Sequence, residues 1–376
     1  MSADFAFATV AELGRLLRAR KVSPVALAEQ ALDRLQRLGP RYNAVVTLTQ
    51  ELCLAQALTA ERGLRRSARN PLHGIPYGAK DLLATSGGIP TSWGLGSRRN
   101  HRFHEDAAVI ERLRDAGAPL AAKLAMVELA GGMKYDQANA SFTGPGVNPW
   151  NTGAWTGGSS TGSGAAVAAG LVPFAIGTET WGSITSPAAF CGISGLRPTL
   201  GRVSRRGAMA LSWTLDKIGP MCRTAEDCGI VLEAIAGHDP ADPASLTTPY
   251  RFFKPRAKGR KLRVALLKGA DEGQPEVKAN FDAALRQLRS IATFTETALP
   301  AYPYTDITSL IMFTEASSGL DGLLGEADFA SLTAAETRTV PIALRSIPAR
   351  DYLNALRLRL RAYRDVMAWF RAFDVI

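Results

Sequence analysis

Residues 157–164 read Gly157-Gly158-Ser159-Ser160-Thr161-Gly162-Ser163-Gly164, and residues 177–184 read Gly177-Thr178-Glu179-Thr180-Trp181-Gly182-Ser183-Ile184. Between these glycine-rich loops, Ser163 to Ala169 reads as a helix of small residues that can pack very closely. Val172 to Gly177 reads as an apolar strand that delivers the second loop. Ser159 and Ser183 stand 24 positions apart, each preceded by glycine. Upstream, Gly74-Ile75-Pro76-Tyr77-Gly78-Ala79-Lys80-Asp81 reads as a strand entering a loop, with Lys80 at its foot. Two serines and a lysine can form a hydrolytic relay without histidine, because an uncharged amine can do the work of an imidazole. Glycines let backbone N–H groups approach a reacting carbonyl and stabilise an oxyanion.

Outward from this unit the periodicity alternates between helix and strand. Residues 9–38 read as two helices: Val10, Leu13, Leu16 and Leu17 recur at helical spacing, then Ser23-Pro24 supplies an N-cap with proline at the first helical position. Asn43 to Leu48 and Pro119 to Lys123 read as short strands, and Glu51 to Arg69 and Asp106 to Ala116 as helices. Residues 1–70 are thus expected to form an N-terminal helical part. The stretch from 131 to 164 is mostly loop, being rich in glycine with Pro145 and Pro149. Leu262 to Leu267, Glu276 to Ser290 and Ala292 to Thr297 give strand, helix, strand, which argues for a parallel or mixed sheet with helices on its faces. Asp351 to Phe373 is a long helix with Leu353, Leu356, Leu360, Tyr363 and Met367 on one side. Residues 238–261 are the best candidate for a surface connection. The run Phe373-Asp374-Val375-Ile376 resembles the first half of a buried strand, so a longer parent protein is expected.

At 376 residues, 46% hydrophobic and 21% charged, the chain has the composition of an ordinary globular protein with ample core. The apolar run Ala165 to Ile176 is too short to span a bilayer, and the N-terminus carries no export signal. A cytoplasmic protein with no membrane partner is expected. Cys53, Cys191, Cys222 and Cys228 show neither metal-type nor disulfide-framework spacing. The net charge of +10 is mostly arginine scattered over helices, without a basic stripe interleaved with aromatics, so no nucleic-acid partner is expected.

Serine needs a base within hydrogen-bond reach. His73, His101, His104 and His238 lie in no serine-hydrolase context, and Gly162-Ser163-Gly164 lacks the spacing of a nucleophile elbow. Lys80 is the best base available, provided it is neutral near pH 7. Burial among Ile75, Tyr77 and Leu82, together with a nearby helix N-terminus, would lower its pKa. Taken singly, Lys80 reads as a surface lysine, Ser159 as a helix cap and Ser183 as a loop serine. Their combination with the flanking glycines is what points to chemistry. A phosphate cradle is disfavoured, because no Gly-Lys-Ser/Thr ending follows the first glycine run.

Longer motifs extend the pattern. They include Asn148-Pro149-Trp150-Asn151, Ser186-Pro187-Ala188-Ala189-Phe190-Cys191-Gly192, Gly195-Leu196-Arg197-Pro198-Thr199 and Leu215-Asp216-Lys217-Ile218-Gly219-Pro220. With them, nearly the whole chain resembles the amidase signature family. The resemblance implies a single α/β domain over residues 1–376, with a large mixed, twisted sheet covered by helices on both faces. It implies a Ser–cis-Ser–Lys triad in which Ser183 is the nucleophile, Ser159 the serine in a cis peptide and Lys80 the base. The N–H groups of Thr180, Trp181, Gly182 and Ser183 match the family's oxyanion loop. Met133, Tyr135 and Trp181 are candidate pocket residues. The implied activity is hydrolysis of a small-molecule amide through an acyl-serine intermediate, with no metal or organic cofactor. A homodimer formed through the N-terminal helices is a further expectation. Two other readings stand beside it: a glutaminase-type subunit of a tRNA-dependent amidotransferase, and a non-catalytic relative.

Three positions depart from the family pattern. Trp181 replaces a glycine, which places an indole in or beside the pocket. Thr185 replaces a common arginine and Glu179 a common aspartate, so no salt link between those two positions is expected.

Overall fold

The computed structural model describes residues 4–64, 70–131, 137–253, 259–270, 272–334, 338 and 346–376. They group into two compact units, one of Met1–Phe252 with Met312–Ser346, the other of Phe253–Ile311 with Ile347–Ile376.

The larger unit carries six strands: β1 (Val45–Leu48), β2 (Tyr77–Lys80), β3 (Leu120–Leu124), β4 (Phe174–Glu179), β5 (Ser194–Gly195) and β6 (Lys217–Cys222). They form one mixed sheet in the order β1-β3-β2-β4-β6-β5. β2 runs parallel to both β3 and β4, whereas β1–β3, β4–β6 and β5–β6 are antiparallel. Helices cover both faces, as α/β layering requires. Residues of α1 (Val10–Arg18), α4 (Ala108–Asp115) and α7 (Ala225–Ile235) pack with Tyr77, Phe174 and Ile176 in one buried cluster. Residues of α2 (Pro24–Leu38), α3 (Gln50–Leu64) and α5 (Thr161–Ala168) pack with Ala122 and Ala175 in another. β4 therefore splits its alternate side chains between the two cores.

The predicted starts of the first helices are present. Thr9 and Glu12 form a reciprocal capping box on α1, and the Ser23 hydroxyl accepts from Ala26 N–H at 3.1 Å ahead of Pro24. The small residues of α5 serve close approach. A side chain at Gly162 would lie 2.3 Å from the Ala44 carbonyl oxygen and 2.5 Å from the Ala125 nitrogen. The helix start can thus press onto the sheet, and Gly162 N–H donates to Ala125 O at 2.9 Å. This contact sets the Ser159–Ser160 turn beside the exits of the central strands.

The β-α-β segment gives the parallel pairing its pattern suggests, in a sheet of its own. β7 (Leu262–Leu267) and β8 (Ala292–Thr297) pair in parallel as a separate two-stranded sheet, with α8 (Pro275–Leu288) between them in sequence. The mixed character of the large sheet comes instead from residues 45–222. In the same smaller unit Val375 makes a parallel bridge to Val264, and Asp374 takes the guanidinium groups of Arg260 and Arg263. The long helix runs from Ala349 to Phe370; its Leu353, Leu360, Tyr363 and Met367 are exposed, while Ala355 and Ala362 are its buried residues. Among the described residues no helix is long and apolar enough to cross a membrane.

Candidate active site

Lys80 closes β2 and is completely buried. Its Nζ lies 2.8 Å from Ser159 Oγ, 3.0 Å from Thr178 Oγ1 and 3.4 Å from Thr178 O. Thr178 sits on β4, the parallel neighbour of β2, so the sheet itself brings the two side chains together. Burial pushes the Lys80 pKa down to about 7, against the opposing pull of the Asp216 and Glu179 carboxylates. Ile75, Tyr77 and Leu82, the apolar residues expected near it, are all buried, and Tyr77 stacks on Phe174 at 5.4 Å between ring centroids.

Ser159 follows a cis peptide bond from Gly158. Its carbonyl accepts from Val127 N–H at 3.0 Å, and the next residue, Ser160, donates its N–H to Ser183 O at 3.2 Å. That bond docks the backbone of one serine loop against the other. Ser159 is fully buried and Ser183 is 6% exposed, so the second serine stands at the solvent edge of the first. The Ser183 hydroxyl makes no hydrogen bond to the described residues.

The segment from Thr180 to Ser183 is bracketed by contacts of Glu179. Its fully buried carboxylate accepts from Ile184 N–H and Thr185 N–H, both at 2.8 Å, and from the Thr185 hydroxyl at 3.1 Å. Its other oxygen receives Arg197 at 3.0 Å. One side chain therefore ties the end of β4 to the start of α6 (Thr185–Cys191). Four N–H groups, those of residues 180–183, donate to none of the described residues. Position 185 carries no cation, as the sequence shows; Arg197 brings a guanidinium to the same carboxylate from another loop. Asp216 accepts from the Thr180 hydroxyl at 2.6 Å, and Lys217 donates to Thr180 O at 2.9 Å, which fixes the other end of the turn.

The sequence motif Asn148-Pro149-Trp150 acts on α6 from its far end. Asn148 Nδ2 donates to Phe190 O at 2.7 Å and Trp150 Nε1 to Cys191 O at 2.8 Å, where the helix has carbonyls without intrahelical partners. Sequence reasoning did not find Thr178, Asp216 or Arg197 as parts of the site. The available signal was the alternation of β4, which puts Thr178 next to the lysine strand. Met133 and Tyr135 lie outside the described residues. Trp181 is 41% exposed. All four cysteines are buried and free, and burial pushes the Cys53 and Cys191 thiols up to about 12.

Known proteins resemble the chain in sequence and in fold. A glutamyl-tRNA(Gln) amidotransferase subunit from Methylococcus capsulatus is 48% identical over 248 residues, covering 65% of this chain and 50% of that protein. The protein of the same name from Chromohalobacter salexigens is 40% identical over 324 residues, covering 83% of this chain and 65% of that protein. The chain thus spans half to just under two-thirds of the length of these curated relatives. The solved structure of native peptide amidase from Stenotrophomonas maltophilia matches 93% of this chain and 78% of its own, with a TM-score of 0.82 and 30% identity. The Amidase family model matches residues 26–376, and the chain belongs to that family.

Proposed function

We propose that the protein hydrolyses the carbon–nitrogen bond of a linear amide through an acyl-Ser183 intermediate. The 2.8 Å contact between Lys80 Nζ and Ser159 Oγ, inside a fully buried site, carries this reading. A neutral amine has two N–H donors and one lone pair. If Thr178 O and Thr178 Oγ1 take the donors, the lone pair is left for the Ser159 hydroxyl. Lys80 then accepts the Ser159 proton while Ser159 accepts that of Ser183, whose oxygen attacks the amide carbon. The free N–H groups of residues 180–183 receive the charge developing on the carbonyl oxygen. Ser159 returns a proton to the departing amine, and water releases the acyl group.

The test is labelling by a serine-directed fluorophosphonate, expected to occur in the wild type and to vanish in Ser183→Ala. Labelling that persists in the variant would remove Ser183 from the role. Because burial lowers the pKa of Lys80 to about 7, kcat/KM is expected to rise as pH rises through that value, as the amine loses its proton, and then to level. A flat profile between pH about 5 and 9 contradicts a lysine base.

Glu179→Ala should lower kcat by about 100-fold with a smaller effect on KM, because a displacement near 1 Å in a reacting group costs about that much. Steady-state kinetics together with the fluorophosphonate labelling rate measure it; unchanged kcat would mean that the loop keeps its shape without the carboxylate.

A second reading rests on the amidotransferase names of the relatives: a subunit that hydrolyses glutamine and passes ammonia to a partner. Hydrolysis of simple amides by the purified chain favours the free-standing hydrolase. A strict need for glutamine and added subunits favours the complex.

A further inference from the structure

A cavity of about 230 Å³ opens beside the site, bounded by Thr178 and Thr180. Thr178 is the residue that holds Lys80, and Thr180 begins the loop with free N–H groups, so a group filling the cavity lies next to the reacting centre. Its apolar wall is made by Leu82, Ala130, Met209, Leu211 and Ile218, with the half-exposed Trp213 at its lip.

The charged groups on the wall already have protein partners. Asp216 accepts from the Thr180 hydroxyl at 2.6 Å and from Leu211 N–H and Ser212 N–H at 2.8 and 2.9 Å. Arg205 pairs with Asp242 at 3.3 Å, and Arg206 pairs with Glu111 and with Asp239. Lys217 donates to Thr180 O at 2.9 Å. A charged substituent entering here would lose its hydration against the apolar wall; both guanidinium groups are already paired with carboxylates, the Lys217 ammonium is engaged with a backbone carbonyl and the Asp216 carboxylate by three hydrogen bonds. An apolar one would lose only its contact with water.

A strained pair adjoins the wall, which its second residue, Ala130, lines. Leu129 and Ala130 have φ of 51° and 56°, which side chains disfavour. Leu129 N–H donates to Trp93 O at 2.9 Å, and the buried Glu128 carboxylate takes Thr333 N–H at 2.9 Å, so the surroundings hold the pair in place. Such conformations cluster at ligand clamps. Here the strain sets a small methyl side chain, that of Ala130, on the cavity wall.

Resting on the hydrolase reading above, we infer that this cavity receives an uncharged apolar group of the amide substrate, an aryl ring or a branched alkyl group. An apolar cavity of roughly 150 Å³ accommodates benzene. The present cavity therefore admits a ring with a short linker. The ring can come from the acyl side or from the amine side of the amide.

Hydrolysis kinetics distinguish the two. Phenylacetamide carries the ring on the acyl side and acetanilide on the amine side; succinamate, N-acetyl-4-aminobenzoate and glutamine are their charged counterparts, and acetamide is the small reference. One ring substrate is expected to exceed its charged counterparts in kcat/KM by at least about tenfold. Ala210→Trp, at an exposed position on the cavity wall, is expected to lower the ratio of that ring substrate to acetamide by about tenfold. Charged amides cleaved as well as ring amides, or a ratio unmoved by Ala210→Trp, would overturn the inference while fluorophosphonate labelling of Ser183 left the hydrolase reading standing. Absence of both hydrolysis and labelling would overturn the two together.

Discussion

Lys80→Ala is expected to lower kcat/KM near pH 7 by on the order of 10⁴-fold, because general-base catalysis and the groups it acts through fail together. The buried amine is the described group whose pKa, about 7, suits proton acceptance at neutral pH, and it touches Ser159 directly. The loss should shrink in strong base, where hydroxide partly replaces the missing acceptor. Equal loss at every pH would assign Lys80 a purely structural role. Stability offers an independent measurement. The Lys80 pKa is depressed on folding, so between pH about 7 and 10.5 the unfolded chain binds the proton that the folded chain rejects. Stability is therefore lost as pH falls through that window, and below about 7 the deficit is complete. Lys80→Met, which carries no charge, is expected to be inactive yet at least as stable as the wild type at neutral pH. The ceiling on the gain is on the order of 4 kcal/mol, reduced by the hydrogen bonds that Ser159 and Thr178 lose. A melting temperature well below the wild type would contradict the burial penalty on the ammonium.

The contrast between Lys80 and its surroundings shows what the sequence makes legible. α1, α2, β2, β3, α5 and β4 follow from hydrophobic period, caps and glycine, because each is decided by neighbours in the chain. β6 is hidden by its own residues: Gly219 and Pro220 lie in its interior, where Pro220 pairs with Ile176, although proline normally avoids such positions. The helix from Tyr304 to Leu320 is hidden by its many Thr, Ser and Gly residues, which weaken the helical signal. Its Glu315 is nonetheless fully buried and accepts from the Ser212 hydroxyl at 2.5 Å and the Thr214 hydroxyl at 2.8 Å. That contact joins positions about a hundred residues apart and has no local signature. The same holds within the site. The two serine loops and the lysine are marked by glycine, whereas Thr178, Arg197 and Asp216 reach Lys80, Glu179 and Thr180 across sequence separations that only the folded sheet closes.

Lys123→Met is expected to destabilise the protein by about 3–5 kcal/mol, because it strands a buried carboxylate. Lys123 on β3 and Asp81, the residue after Lys80, are both fully buried, with Nζ 3.2 Å from Asp81 Oδ1. Lys123 also donates to Leu83 O at 2.9 Å and to the Thr91 hydroxyl at 2.5 Å, while Asp81 Oδ2 accepts from Ser92 N–H at 2.9 Å. The pair therefore fastens the chain just past β2 to the strand beside it, on the residue adjoining the catalytic candidate. Desolvating two charges offsets most of what their attraction contributes, so the pair as a whole adds little. Removing one member leaves the other unpaired and costs the full penalty. The double variant Lys123→Met with Asp81→Asn should accordingly recover much of the stability that the single variant loses. Thermal or urea unfolding of the three proteins measures it, with a fall of about 10 °C expected for the single variant, at roughly 2–4 °C per kcal/mol for a domain of this size. If the single variant melts with the wild type, Asp81 reaches water or another partner and the buried ion pair does not hold the end of β2. If the double variant falls as far as the single one, the fastening depends on the particular hydrogen bonds to Leu83, Thr91 and Ser92 rather than on charge balance.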